Sequence, residues 1–157
     1  MKHLILIIGV ALTLVACQSS TSENNTPDPS LDLASAANPA AKEVSQEVDL
    51  GEKVYKTYCL VCHQANGAGV PNLYPPLSGT DWVNGDKERL IGVVLNGLQG
   101  PIEIDGTTYN SIMVSHSHLK DEEIAAVLTY VRSNFGNDSG PITIEEVANV
   151  RESQTSE

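Results

Sequence analysis

Residues 59 to 63 read Cys59-Leu60-Val61-Cys62-His63. Two cysteines with two residues between them, followed at once by histidine, fit three chemistries: part of a metal site, a redox disulfide, or covalent attachment of haem. A zinc site needs four ligands, usually two such cysteine pairs or one pair plus two histidines at helical spacing. Here there is no second pair, and His116 and His118 are separated by one residue. A thioredoxin-like redox pair belongs in a βαβ context, whereas this chain reads as mostly helical with one hairpin. Cys-x-x-Cys-His is the signature of c-type haem attachment. The two thiols add across the two vinyl groups on one edge of the macrocycle, and the adjacent histidine falls below the iron as proximal ligand. The pentapeptide therefore points to one covalent haem c, held by Cys59 and Cys62 and ligated by His63.

The segments on either side supply helices. Leu50, Val54 and Tyr58 recur at helical spacing, so residues 49–59 form a helix that delivers the pentapeptide. From Asp86 to about Leu98, Leu90, Ile91, Val94, Leu95 and Leu98 lie on one broad face, with Asp86 as N-cap and Gly97 as ending signal. A third helix, from about Asp121 to Phe135, puts Ile124, Val127, Leu128 and Val131 on one stripe. Its first turn holds Asp121, Glu122 and Glu123, where the helix dipole favours anions. Between the second and third helices, residues 102–109 (IEIDGTTY) alternate around Asp105-Gly106, the turn of a short β-hairpin. Residues 143–150 are expected to add one or two helical turns packed on the domain, and the final SQTSE is expected to be disordered. These readings place a folded domain at 48–138 and a partly disordered C-terminal extension at 139–157.

The first residues read as targeting. Lys2 and His3 precede Leu4 to Ala16, an apolar run of 13 residues. That is short for a membrane-crossing helix but suits an export signal, here 1–16. Leu14-Val15-Ala16-Cys17 resembles the lipobox of bacterial lipoproteins, which implies cleavage before Cys17 and its acylation. Several acyl chains would give stable membrane attachment where one is marginal. Residues 17–47, rich in Ser, Asn, Pro, Ala and acids, cannot offset the entropy of ordering themselves and read as a flexible tether. Its random-coil reach is roughly 30 Å. With Cys17 so used, only Cys59 and Cys62 of the three cysteines remain.

Charge narrows the partners. The 157-residue chain has 9 Lys+Arg against 20 Asp+Glu, a net charge of -11. Nucleic acid is excluded, because a phosphate-binding surface needs clustered cations. An electrostatically steered protein partner should present a basic docking patch.

Three blocks in order, GEKVYKTYCLVCHQANGAGVPNLYPPLSGTDWV, GDKERLIGVVLNGLQGPIEIDGTTYNSIM and LKDEEIAAVLTYVRSNFGN, resemble the class I cytochrome c family over about Val48 to Asn137. The likeness is to the mono-haem domains of periplasmic dehydrogenase cytochrome subunits and related membrane-tethered cytochromes. It implies an all-α fold of three core helices around a covalent haem with a short β-hairpin, the first and last helices crossing near Gly51, Tyr55 and Tyr130. Met113 is the only methionine after the export segment and lies in the loop where the family places its distal iron ligand. A thioether there raises the reduction potential by favouring Fe(II). His116 and His118 lie close by and offer imidazole as an alternative. The resemblance places a carbonyl of the Pro75-Pro76-Leu77 turn against the free N–H of His63, and so counts Pro76 at the haem site. It suggests Trp82 and Tyr109 as hydrogen-bond donors to haem propionates, and Gly67, Gly69 and Gly79 at tight turns around the haem edge.

The function implied is that of a single-electron carrier rather than an enzyme. It would be lipid-anchored in a bacterial cell envelope and would work between a dehydrogenase, an oxidase or a reductase. Two rivals are a catalytic or gas-sensing haem protein with an open sixth position, and a non-redox adaptor whose haem only stabilises the fold.

Overall fold

The structure is a computed structural model that describes residues 47 and 49–155. The export segment 1–16, Cys17 and all of the tether before Glu47 lie outside the described residues.

Helix α1 (residues 49–63) changes winding midway. Over Tyr55–Cys59 the backbone opens into a π turn, with the Leu60 N–H bonded to the Tyr55 carbonyl, and it closes as one α turn over Leu60–His63. The wider turn takes up an extra residue and rotates everything after it. That explains one departure from the sequence pattern: Val54 and Tyr55 are buried, whereas Tyr58, expected on the same stripe, is 40% exposed.

A short helix α2 (Asp81–Asn84), capped by the Thr80 hydroxyl on the Val83 N–H, was not foreshadowed by periodicity. Helix α3 (Lys87–Asn96) starts as expected, with the Asp86 carboxylate accepting from Arg89 N at 2.7 Å. Leu90, Ile91, Val94 and Leu95 are buried, and the helix ends at Gly97. Strands β1 (Ile102–Ile104) and β2 (Thr107–Tyr109) pair antiparallel, Ile102 opposite Tyr109. Asp105 and Gly106 both have positive φ (50° and 75°), the conformation of the two-residue turn their sequence specifies.

Helix α4 (Asp121–Ser133) buries Ile124, Val127, Leu128 and Val131 as its stripe requires. Its N-cap is Lys120, which has no capping oxygen. The Glu123 carboxylate substitutes by accepting from the Lys120 N–H at 2.9 Å. Where α1 meets α4, a Cβ on Gly51 would lie 2.3 Å from the Ala126 carbonyl and 2.8 Å from Tyr130 Cβ. Only glycine permits that approach. Beside it the rings of Tyr55, Tyr130 and Phe135 pack with centroids 5.1 to 5.8 Å apart. Fully burying side chains such as Ile91 and Ile124, both at 0% exposure, stabilises by about 1.5–3 kcal/mol each.

The C-terminal extension is more ordered than its sequence suggested. In place of one or two turns there is a helix α5 (Ile144–Thr155), and it takes in Ser153 and Gln154, which were expected to be disordered. Two reasons are visible. Thr143 and Glu146 form a reciprocal capping box, at 2.8 and 3.2 Å. Ile142, Val147 and Val150 sit in the same core as α3 and α4, so the extension buries a face that its weak amphipathic pattern concealed.

Candidate functional site

One cavity of about 360 Å³ gathers nearly all the residues singled out from sequence. Cys59, Cys62 and His63 occupy positions i, i+3 and i+4 of the last turns of α1, so they share a face. All three line the cavity, together with Pro76, Trp82, Tyr109, Met113 and His116. The rest of the lining is largely aliphatic: Val83, Leu90 and Val94 from one side of the fold, Val127, Leu128 and Val131 from α4.

The two thiols are free, and burial, followed by the neighbouring Cys62, pushes the Cys59 thiol up to about 11. The Cys59 sulfur is therefore neutral in this setting, suited to facing a hydrophobic macrocycle. No cluster of three or more His, Cys, Asp or Glu that could hold a metal ion occurs among the described residues. His63 is fixed in orientation. Its Nδ1 lies 3.0 Å from the Pro75 carbonyl, an acceptor, so Nδ1 carries the proton and Nε2 presents its lone pair. The acceptor is Pro75; Pro76, expected at the site, contributes to the cavity wall instead. Desolvation lowers the His63 pKa, opposed by the Pro75 bond and aided by nearby His116, so the ring stays neutral and able to ligate.

Met113 is held by its backbone. It exchanges two 2.9 Å hydrogen bonds with Leu98, just past the end of α3. The pairing needs Gly97: at φ 78°, ψ -172° it occupies a region essentially restricted to glycine, and a Cβ there would sit 2.3 Å from the Met113 carbonyl. Downstream, Ser115 Oγ donates to the Leu95 carbonyl and His116 N to the Val94 carbonyl. Arg151 of α5 then clamps the loop exit, donating to Ser117 O, Leu119 O and the Asp121 carboxylate at 2.8 to 2.9 Å. The methionine loop is thus fastened along its length.

The two loop histidines separate cleanly. His118 is exposed, while His116 is 8% exposed and its buried Nδ1 has no hydrogen-bond partner. Burial, then His118, lowers the His116 pKa. Trp82 and Tyr109 both line the cavity, and neither the indole N–H nor the phenol has a protein partner among the described residues. Arg89 stacks over the Trp82 ring at 4.8 Å and pairs with Asp81. A large apolar cavity with two thiols, one oriented imidazole, a thioether and two unpartnered polar tips fits a covalently held haem with carboxylate side arms.

Sequence reading missed Asn137. It is 7% exposed and makes four hydrogen bonds: its amide donates to Leu77 O and Val131 O, and its carbonyl oxygen accepts from Gly79 N and Asn84 Nδ2. It ties the loop below His63 to α2 and α4. An asparagine after glycine in an apparent loop gave no signal of this beyond its type.

Comparison with known proteins agrees with the geometry. The Cytochrome c family model matches residues 48–135. Cytochrome c-552 of Thermus thermophilus is 44% identical over 110 residues, covering 64% of this chain and 83% of that protein. The cytochrome c subunit of a quinone alcohol dehydrogenase from Gluconobacter oxydans is 30% identical over 103 residues, covering 64% of this chain and 22% of that subunit. The gluconate 2-dehydrogenase cytochrome c subunit of Pantoea cypripedii is 29% identical over 111 residues, covering 67% of this chain and 24% of that subunit. The chain belongs to the cytochrome c family, carries covalent haem c, and serves in single-electron transfer.

Proposed function

We propose that Cys59 and Cys62 form the thioethers, that His63 and Met113 bind the iron, and that the protein relays electrons without catalysing a reaction of its own. The observation that carries this reading is the convergence of both thiols, the oriented His63 and the loop-pinned Met113 on one apolar cavity. Haem supplies reversible one-electron Fe(III)/Fe(II) chemistry. The protein's residues hold it rigid: His63 through Pro75, Met113 through Leu98, and the apolar walls by excluding water. Trp82 and Tyr109, both in the cavity wall, would donate to propionates. Val61, between the two cysteines, is 75% exposed, and Ile112 and Val114, flanking Met113, are 66% and 64% exposed. Such exposed apolar residues beside the site suit brief contact with a partner rather than burial.

The donor or acceptor would be a dehydrogenase, an oxidase or a reductase, a proposal supported by the dehydrogenase subunits among the relatives and by the net charge of -11, which favours a basic docking patch. Acylation of Cys17 would hold the chain to a membrane of the bacterial cell envelope, on its periplasmic or outer face. The test is the visible spectrum of oxidised wild type beside Met113→Ala. The expected result is a weak red-region sulfur-to-iron band, present in wild type and lost in the variant.

A second reading of the distal ligand rests on the unpartnered, buried Nδ1 of His116. In that case wild type would be low-spin without the sulfur band, and His116→Ala rather than Met113→Ala would change the spectrum.

A further inference from the structure

Arg132, in the last turn of α4, is 4% exposed. Its Nε donates to the Gly140 carbonyl at 2.8 Å and its Nη1 to the Val83 carbonyl. Both acceptors are neutral. Among the other described cations, Lys56, Lys87, Arg89, Lys120 and Arg151 each pair with a carboxylate, and Lys53 is exposed. Arg132 alone is buried without one. The negative end of the α4 dipole, worth about half a charge, offsets only part of the guanidinium. A net positive charge therefore remains inside the fold, in a chain whose overall charge is -11.

Its position matters. Val83, whose carbonyl holds Nη1, and Val131, the preceding residue, both line the haem cavity, as does Trp82. The charge sits one residue layer behind the wall, where weak dielectric screening lets its field reach across. We infer that Arg132 is an electrostatic positioning residue for the haem: its buried charge favours the reduced iron and so sets the reduction potential upward. The inference rests on the haem reading of this cavity.

Midpoint potentials of the haem-loaded protein test it. Arg132→Gln removes the charge and should lower the midpoint by the equivalent of a tenfold shift in the one-electron equilibrium, about 59 mV. Arg132→Lys, which keeps charge but loses the fork, should stay close to wild type. A second pair avoids the clamp altogether: a Cβ on Gly140 meets nothing within 4 Å. Gly140→Asp sets a carboxylate beside the guanidinium and should lower the midpoint, whereas Gly140→Asn should not. An unchanged midpoint in Arg132→Gln with a lowered melting temperature would reduce Arg132 to a mechanical clamp and overturn the inference. If the Arg132 variants do not fold, equal midpoints for Gly140→Asp and Gly140→Asn overturn it. The wild-type spectrum separates the two failures: loss of the haem reading shows there, whereas failure of Arg132 alone leaves that spectrum intact and the midpoints equal.

Discussion

Replacing Gly97 with alanine should release Met113 while leaving the haem attached. Gly97 sits at φ 78°, ψ -172°, a conformation that costs any other residue about 1–3 kcal/mol. The added methyl would also lie 2.3 Å from the Met113 carbonyl, 2.9 Å from Ser115 N and 3.0 Å from Val114 C. Ordinary contact begins near 3.5 Å, so backbone must move by about an ångström. What moves is the Met113 strand, because Gly97 itself is anchored to α3 through its N–H to Val93 O at 2.9 Å. The two Leu98–Met113 hydrogen bonds stretch with it, at about 0.5–1.5 kcal/mol each. The sum, about 2–6 kcal/mol, weakens sulfur ligation by well over tenfold, since about 1.4 kcal/mol is a factor of ten. The assay is the sulfur-to-iron band of oxidised protein, titrated with added imidazole. Gly106→Ala is the control, because it has φ 75° but meets nothing within 4 Å. If Gly97→Ala keeps the full band and resists imidazole as well as Gly106→Ala does, the contact with Met113 does not govern ligation and the reasoning fails.

Other consequences can be checked more briefly. Asn137→Ala removes four hydrogen bonds at a buried site and strands carbonyls at Leu77 and Val131, so it should destabilise by several kcal/mol, at about 1–3 per stranded group; thermal unfolding measures it. Thr143→Ala breaks the capping box of α5 and should cost about 0.5–2 kcal/mol, visible as earlier hydrogen exchange in residues 144–155. Acid should loosen the same helix. The Lys87 contact first, then the Thr143 N–H, holds Glu146 below its usual pKa of 4.5, so this stabilisation is complete above that value and is lost as pH falls through the depressed one. Lys87→Met should move that acid transition upward. Finally, a chain with Cys59→Ala and Cys62→Ala that takes up no haem must carry a 360 Å³ apolar cavity. At roughly 24 cal/mol per Å³ this costs about 9 kcal/mol, comparable to the whole stability of a small domain. Such a chain should show little dispersion in its NMR spectrum.

Local chemistry made much of this protein legible from its residues. The Cys-x-x-Cys-His spacing, the Asp86 and Gly97 limits of α3, the Asp105-Gly106 turn and the four apolar positions of α4 each follow from short-range rules, and the structure reproduces them. Met113 could be named because no other methionine follows the export segment. The misses share a different character. The π turn at Tyr55–Cys59 obeys no residue preference; it exists because both ends of α1 are fixed, at Gly51 against α4 and at His63 against Pro75, and one extra residue must be absorbed between them. α5 scarcely shows in periodicity because it packs only Val147 and Val150 inward, and its worth depends on a core built by distant segments. The difference between His116 and His118 is likewise a matter of burial. Asn137 and Arg132 read as ordinary loop and helix-end residues until residues more than forty positions away supply their partners. What the sequence determined was everything a neighbour within a few residues can enforce. The tertiary structure decided which polar groups are shut away from water, because burial depends on every segment packed around them at once.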